Sequence, residues 1–172
     1  LAAMGANVIM LDTKNNFYLT TDRPNLARAY GCDLYISIHA NKVVGNESVR
    51  GTEVYYFTPF SQPLAASVSA NIASYFANNV YSDGVISNRG AKNSYYWVTL
   101  QQDFPSILVE TGFVSNYEDA MALVDPTHQQ GIANAIADVY DLEVQNLYSD
   151  IFPVTANDPE LADRADIAFA EL

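Results

Sequence analysis

The chain has 172 residues, a length that suits one domain with a full hydrophobic core. No apolar run approaches the roughly 20 residues that a membrane helix needs, so we do not expect it to span a membrane. A net charge of -12 argues against a nucleic acid as partner, because phosphate binding depends on clustered Lys and Arg. Cys32 is the only cysteine, which excludes an internal disulfide.

The first residues are typical of the end of a helix: Leu1 to Met4 are followed by Gly5 as a stop signal. We therefore expect the sequence to be a fragment of a longer protein. A signal peptide would then lie upstream of Leu1, so the lack of one in this sequence is uninformative.

Apolar runs at 8–11, 33–38 and 52–57 predict three strands. Between the first two, Asp22-Arg23-Pro24 offers a cap and a first-turn proline for a short helix through about Tyr30. These elements form a βαβ unit with parallel strands. The loop before the third strand has no helical pattern, which favours an antiparallel neighbour or a long functional loop, and a mixed sheet.

The second half predicts two long helices that cover the sheet. Apolar residues recur every fourth position over 63–79, and Thr127 with Gln130 forms a capping-box signature before another periodic run. Between these helices, β-rich runs at 95–100 and 106–109 complete five predicted strands.

Two chemically capable side chains follow predicted strands. A neutral imidazole at His39 could bind a divalent metal, although a lone histidine at a strand end is more often structural. Glu110 comes directly after a buried-looking run, where an unpaired charge is costly. A metal or a proton held at raised pKa would compensate that charge; a cap for the following backbone is the structural alternative.

Other catalytic classes fit poorly. Asp33, Ser37 and His39 alternate along one strand, whereas the members of a serine-protease triad converge from separate segments. The sequence has no glycine-rich phosphate loop. We interpret His128 as a surface residue of a first helical turn rather than a metal ligand. A metal-and-carboxylate hydrolase is therefore the leading hypothesis.

Several segments, in the right order, resemble the zinc-dependent N-acetylmuramoyl-L-alanine amidases that cleave bacterial peptidoglycan, the amidase-3 family. The resemblance runs from Leu1 to about Glu143. It is carried by the segments 5–11, 33–41 with Ser-Ile-His-Ala-Asn, 51–56 with Gly-x-Glu-Val-Tyr, and most closely 105–116 with Glu-Thr-Gly-Phe.

The resemblance implies that His39 is a zinc ligand and that Glu110 is the catalytic carboxylate. It implies a zinc-bound water as nucleophile, with Glu110 taking the proton and delivering it to the leaving L-alanine nitrogen. Arg89 is expected to pair with a carboxylate of the stem peptide, a surface salt bridge being the alternative. Asn41 is a second candidate for substrate binding, with a structural role behind His39 as the alternative. Of Tyr95, Tyr96 and Trp97, some are expected in the substrate groove and at least one in the core.

The family's other two zinc ligands, a histidine in a Gly-His-Gly-Gly loop and a glutamate on the next helix, have no counterpart in this sequence. We therefore expect an α/β catalytic domain over 1–147 that lacks its first strand and most of its first helix. Its sheet is expected to be mixed and mostly parallel, with helices on both faces. The intact parent is expected to be an active amidase, and this chain alone to lack zinc and activity.

Beyond about Tyr148 the composition changes to Asp, Pro and Ala, which indicates an acidic linker or the start of a wall-anchoring module over 148–172. The resemblance implies peptidoglycan as partner, a monomer, and an extracellular or cell-wall location. A non-catalytic wall-binding or partner-binding domain on the same fold is the alternative function. A zinc peptidase of related architecture is a weaker one, because it rests on fold analogy.

Overall fold

The computed structural model describes residues 1–11, 18–140 and 166–170. Within these residues six strands form one sheet: β1 Asn7–Met10, β2 Leu34–Asn41, β3 Thr52–Tyr56, β4 Asn88–Asn93, β5 Ser106–Phe113 and β6 Asp166–Ala170. The helices are α1 Asp22–Ala29, α2 Gln62–Asn79, α3 Tyr117–Val124 and α4 Pro126–Ala137. Short 3-10 turns cover Ala2–Met4, Pro59–Ser61 and Trp97–Thr99.

The strands lie in the order β1-β6-β2-β5-β3-β4. All neighbouring pairs are parallel except β3 and β5, which are antiparallel. β3 and β4 thus run opposite to the other four strands. The residue pairs between β3 and β5 therefore follow an antiparallel register. The predicted class, an α/β fold with a mixed, mostly parallel sheet, is confirmed.

Alternation along β2 divides the sheet into two packed faces. Leu34 and Ile36 face a core formed with the apolar sides of α2 and α4. Tyr35, one position on, faces a smaller core that includes Leu26 and Ala27 of α1. Ser37 and His39 continue along the face of Tyr35, so α1 covers the sheet face that carries the candidate site.

The predicted helices are present, with one wrong boundary. α1 and α2 agree with the sequence patterns to within a residue. α4 instead begins at Pro126, because the carboxylate of Asp125 accepts a hydrogen bond from the backbone N–H of Thr127 at 2.7 Å and so caps the helix. The proposed capping box starting at Thr127 is therefore wrong.

The strand predicted at 95–100 is also wrong. That segment contains a 3-10 turn, and the fourth strand is Asn88–Asn93, which pairs in parallel with β3 at the edge of the sheet. β4 is polar and contains a glycine, so no apolar alternation marks it. β4 is extended because it pairs with β3, and a local sequence pattern gives no information about pairing with a distant segment.

β6 lies between β1 and β2 and pairs with both in parallel, Ile167 lying opposite Val8 on one side and Leu34 on the other. β1 and β2 are therefore not neighbours, although α1 connects them. β6 falls within the segment 148–172 that we predicted to be a linker or a new module. Residues 141–165 and 171–172 lie outside the described residues, and the proposed domain boundary stays a prediction.

None of the helices found in the described residues is long and apolar enough to cross a bilayer.

Candidate active site

The register of three neighbouring strands places three ionisable side chains in one row. His39 of β2 lies opposite Glu110 of β5, and Glu110 lies opposite Glu53 of β3. Paired residues on adjacent strands point to the same face of a sheet. The structure thus brings together the two residues singled out in the sequence, and it adds Glu53 as a third.

Glu53 is the centre of a buried hydrogen-bond network. It is 3% exposed and accepts hydrogen bonds from Tyr55 Oη at 2.6 Å, Asn41 Nδ2 at 2.9 Å and Arg89 Nε at 2.7 Å. Lys92 Nζ donates a fourth. Burial alone would raise the pKa of Glu53, but the hydrogen bonds from Lys92, Tyr55 and Arg89 outweigh it and hold the pKa at about 2. Glu53 is therefore a fixed negative charge beside Glu110.

Sequence reasoning did not select Glu53 as a site residue. It lies inside a predicted strand, between the buried Thr52 and Val54. A carboxylate in such a run was the available signal, because a buried charge needs partners. Two of its four partners, the cations Arg89 and Lys92, come from β4, the strand that the pattern missed.

Glu110 is held differently from Glu53. Its Oε2 atom is buried and has no hydrogen-bond partner in the part of the chain that the structure describes. Burial, and then the negative charge of Glu53, raise the pKa of Glu110 to about 7. Two adjacent carboxyl groups thus have pKa values pushed in opposite directions, a pattern that separates an acid-base group from a fixed charge.

The His39 side chain is half-buried and contacts a residue of its own strand. Its Nε2 atom lies 2.8 Å from Ser37 Oγ, and its carbonyl accepts a hydrogen bond from Thr111 Oγ1 at 2.8 Å. Burial lowers the pKa of His39, and the positive charge of Arg23 lowers it further. The imidazole is therefore neutral at neutral pH, which is the form that binds a metal ion.

The residues present do not complete the zinc centre that the resemblance implies. Among the described residues, no group of three or more His, Cys, Asp or Glu side chains could hold a metal ion. The only other histidine, His128, lies on α4 with Nδ1 2.9 Å from Tyr75 Oη. His39 supplies one donor, and Glu110 Oε2 is an unpaired oxygen on the neighbouring strand. A catalytic zinc site needs three protein ligands.

Asn41 and Arg89, predicted to contact substrate, both bind Glu53. Arg89 also lies over the ring of Phe113, its guanidinium carbon 5.0 Å from the ring centroid. Asn41 accepts a hydrogen bond from the backbone N–H of Lys42 at 2.7 Å, which fixes its amide. Both side chains are part of the wall of the site, and their contact with substrate stays a prediction.

Asp119 connects β3 and β5, the strands that carry Glu53 and Glu110. We call these two carboxyl groups the acidic pair. It is fully buried, and its Oδ2 accepts from the backbone N–H groups of Gly51 at 3.0 Å and Phe113 at 2.8 Å. Its Oδ1 accepts from Tyr81 Oη at 2.7 Å. One carboxylate therefore ties the start of β3 to the end of β5, which holds Glu53 and Glu110 in register.

We expect Glu53→Gln to destabilise the chain at pH 7 and to matter little near pH 2. Because the pKa of Glu53 is about 2 when folded and 4.5 in the reference state, its ionised form stabilises the fold above pH 4.5. That contribution, roughly 3 kcal/mol at neutral pH, is lost as pH falls through about 2. Urea unfolding of both proteins at pH 7 and at pH 2.5 measures it. A difference between them that does not shrink in acid would contradict the network.

Comparison with known proteins supports the resemblance. The family model described as N-acetylmuramoyl-L-alanine amidase matches residues 1–139. The N-acetylmuramoyl-L-alanine amidase LytC of Bacillus subtilis is 32% identical over 138 residues, which are 80% of this chain and 27% of LytC. The probable cell wall amidase LytH of Staphylococcus epidermidis is 31% identical over 134 residues, 78% of this chain and 41% of LytH.

A solved structure agrees with the sequence matches. The N-acetylmuramoyl-L-alanine amidase AmiC2 of Nostoc punctiforme superposes with a TM-score of 0.60 and 29% identity, over 78% of this chain and 69% of that one. The chain spans about a quarter to two thirds of the length of the curated relatives that it matches first. The matched residues include the whole row of His39, Glu53 and Glu110. The chain belongs to the N-acetylmuramoyl-L-alanine amidase family.

Proposed function

We propose that this chain is part of a peptidoglycan hydrolase that cleaves the amide bond between N-acetylmuramic acid and the L-alanine of the stem peptide. The observation that carries the proposal is Glu110: a carboxyl with an unpaired buried oxygen and a pKa of about 7, next to a neutral His39. A general acid-base group works best when its pKa is near the working pH. Family membership supports the choice of substrate.

In this proposal Glu110 takes a proton from the attacking water and gives it to the leaving nitrogen. Burial, and then the negative charge of Glu53, keep the pKa of Glu110 high, while Lys92 and Arg89 hold Glu53 in its ionised form. Arg89 is 37% exposed in its side chain, so it can also reach a carboxylate of the stem peptide.

Zinc dependence is part of the proposal for the parent enzyme, with His39 as the ligand that this chain contributes. When bound, zinc would supply a Lewis acid and an activated water. Since the described residues do not form a three-ligand site, we propose that this chain alone neither holds zinc tightly nor hydrolyses peptidoglycan. Non-catalytic binding to cell wall or to a protein partner is the second candidate, and the activity assay on the natural protein distinguishes it from hydrolysis.

The proposed place of action is the cell wall or the extracellular space, with peptidoglycan as partner and a monomeric state. A relative named as a probable cell wall amidase supports the location. The chain covers only part of its relatives, so the activity, substrate and partners of the whole protein belong to this proposal.

The zinc prediction is tested on the chain itself. Titration with Zn²⁺ by calorimetry, after removal of metal with a chelator, is expected to give no tight one-to-one complex. His39→Ala serves as the matched control and should leave the titration almost unchanged. A one-to-one complex in the nanomolar range that His39→Ala removes would overturn the prediction.

The activity is tested on the natural protein that contains this chain, incubated with purified peptidoglycan and zinc. Mass spectrometry should find stem peptides with a free N-terminal L-alanine and glycan strands with intact lactyl carboxyl groups. Cleavage within the stem peptide would favour a peptidase. Binding without any cleavage would favour the non-catalytic alternative.

A further inference from the structure

Three consecutive aromatic side chains lie exposed after β4. Tyr95 is 76% exposed, Tyr96 41% and Trp97 53%, so none of them enters the core, contrary to the alternation expected for a strand. Single exposed apolar residues are common on protein surfaces, but adjacent large rings are typical of binding sites. We call these three residues the aromatic ledge.

Each ring of the aromatic ledge is held by a specific contact. Tyr96 packs edge-to-face on Tyr55 with ring centroids 4.9 Å apart, and Tyr95 packs in the same way on Phe57 at 4.8 Å. Trp97 Nε1 donates a hydrogen bond to the backbone carbonyl of Thr21 at 3.2 Å. Rings that are exposed but already oriented lose little freedom when a ligand binds.

The aromatic ledge adjoins the acidic pair. Tyr55, on which Tyr96 packs, donates a hydrogen bond to Glu53, the cross-strand neighbour of Glu110. The Tyr55 side chain therefore links the ledge to the acidic pair. Thr21, which holds Trp97, precedes α1, and Arg23 of that helix exerts its charge on His39. The ledge thus borders the same face of the sheet as the candidate site.

The chemistry of the ledge fits a neutral ring with one apolar face. A pyranose sugar presents such a face of C–H groups to an aromatic ring and leaves its hydroxyls at the edge for water and polar side chains. The acetamido methyl group of an N-acetylated hexosamine adds apolar area. A nucleic-acid base is disfavoured, because a chain with a net charge of -12 repels its phosphates.

We propose that the aromatic ledge binds an N-acetylated hexosamine ring of the glycan strand and so holds the adjoining amide bond beside Glu110. The inference rests on the proposed function, since it takes its ligand class from the same substrate. It assigns to Tyr95, Tyr96 and Trp97 a task separate from bond cleavage.

Trp97 is the only tryptophan of the chain, so its fluorescence, excited at about 295 nm, reports directly on the ledge. Titration of this chain with tetra-N-acetylchitotetraose is expected to change the emission saturably. Tyr96→Ala and Tyr95→Ala should each weaken binding about fivefold to tenfold, as loss of one aromatic contact predicts. Tyr96→Phe keeps the ring and should restore the affinity.

Tyr117→Ala is the matched control, because Tyr117 is 77% exposed and lies on α3, outside the ledge. It should leave sugar binding unchanged, and circular dichroism should show all variants folded. No saturable change, or equal weakening by Tyr117→Ala, would overturn the inference, as would tighter binding of a sugar-free stem peptide at the ledge. If the unmutated natural protein hydrolyses the amide bond but does not bind the sugar, the inference about the ledge is rejected and the proposed function stands. If it binds the sugar but does not hydrolyse the amide bond, the proposed function is rejected.

Discussion

Glu110→Gln is expected to lower the amidase kcat of the natural protein that contains this chain by about 10²–10⁴, the usual contribution of a general acid-base group. Glutamine keeps the size of the side chain but cannot take a proton from water. KM should change little, because the variant keeps the substrate contacts that we propose for Arg89, Asn41 and the aromatic ledge. Steady-state rates on solubilised peptidoglycan measure both constants. A variant that retains a tenth or more of the activity would exclude Glu110 as the acid-base group.

The same substitution should stabilise the chain at alkaline pH. Because the pKa of Glu110 is raised from 4.5 to about 7 by folding, the unfolded chain ionises first as pH rises. At pH 4 the carboxyl is protonated in both states and does not affect stability. Between the two pKa values the free energy of unfolding falls, and above pH 7 the penalty reaches roughly 3 kcal/mol. Glutamine cannot ionise, so Glu110→Gln avoids this loss of stability.

Urea unfolding of this chain at pH 4 and at pH 8 measures the effect. Glu110→Gln should be as stable as the unmutated chain at pH 4 and more stable than the unmutated chain at pH 8. Glu53→Gln provides the opposite control, since it removes a stabilising charge at pH 8. Equal effects of Glu110→Gln at both pH values would show that Glu110 is not a proton-holding group.

Gly51→Ala is expected to destabilise the chain severely. Gly51 has a φ of 102°, and a Cβ atom placed on it would overlap the carbonyl oxygen of Ser87. Positive φ and a backbone clash together cost roughly 3–6 kcal/mol. Moving Gly51 would also break its hydrogen bond to Asp119, and with it the register of Glu53 and Glu110.

Gly5→Ala separates the two causes. Gly5 has a similar φ of 93°, but a Cβ atom there meets nothing within 4 Å, so this variant is destabilised by the backbone conformation alone. It should lose about 1 kcal/mol. Thermal unfolding of both variants gives the difference due to the clash. If the two variants unfold at the same temperature, the close approach of Ser87 is not a constraint.

The sequence predicted what depends on local pattern and chain order. His39 and Glu110 each come directly after an apolar run, which the sequence shows. The structure extends both strands past them, β2 to Asn41 and β5 to Phe113, so the two side chains lie within strands and not at their ends. The parallel pairing of β2 with β5 then brought them together. α2 was likewise predicted by its apolar periodicity, because an amphipathic helix carries its own signal, and α1 by the proline of its first turn. The cap expected at Asp22 is wrong, because Asp22 is the first residue of α1 and Thr21 precedes it.

What the sequence did not predict depends on pairing between distant segments. The role of Glu53 follows from Lys92 and Arg89, and these residues reach it only because the polar segment of β4 is held extended against β3. The three aromatic residues 95–97 were expected to alternate between core and surface, yet they form no strand and all three are exposed, with a 3-10 turn beginning at Trp97. Local propensity cannot choose between these outcomes when tertiary contacts decide.

The position of β6 also implies an order of assembly. β2, β5, β3 and β4 pair with one another without β6, whereas β1, among the described residues, pairs with β6, which follows it by more than 150 residues. Closing so long a loop costs more entropy than pairing nearby segments, which slows folding. When this chain refolds from denaturant, we therefore expect the row of His39, Glu110 and Glu53 to form first, and β1 to join the sheet later.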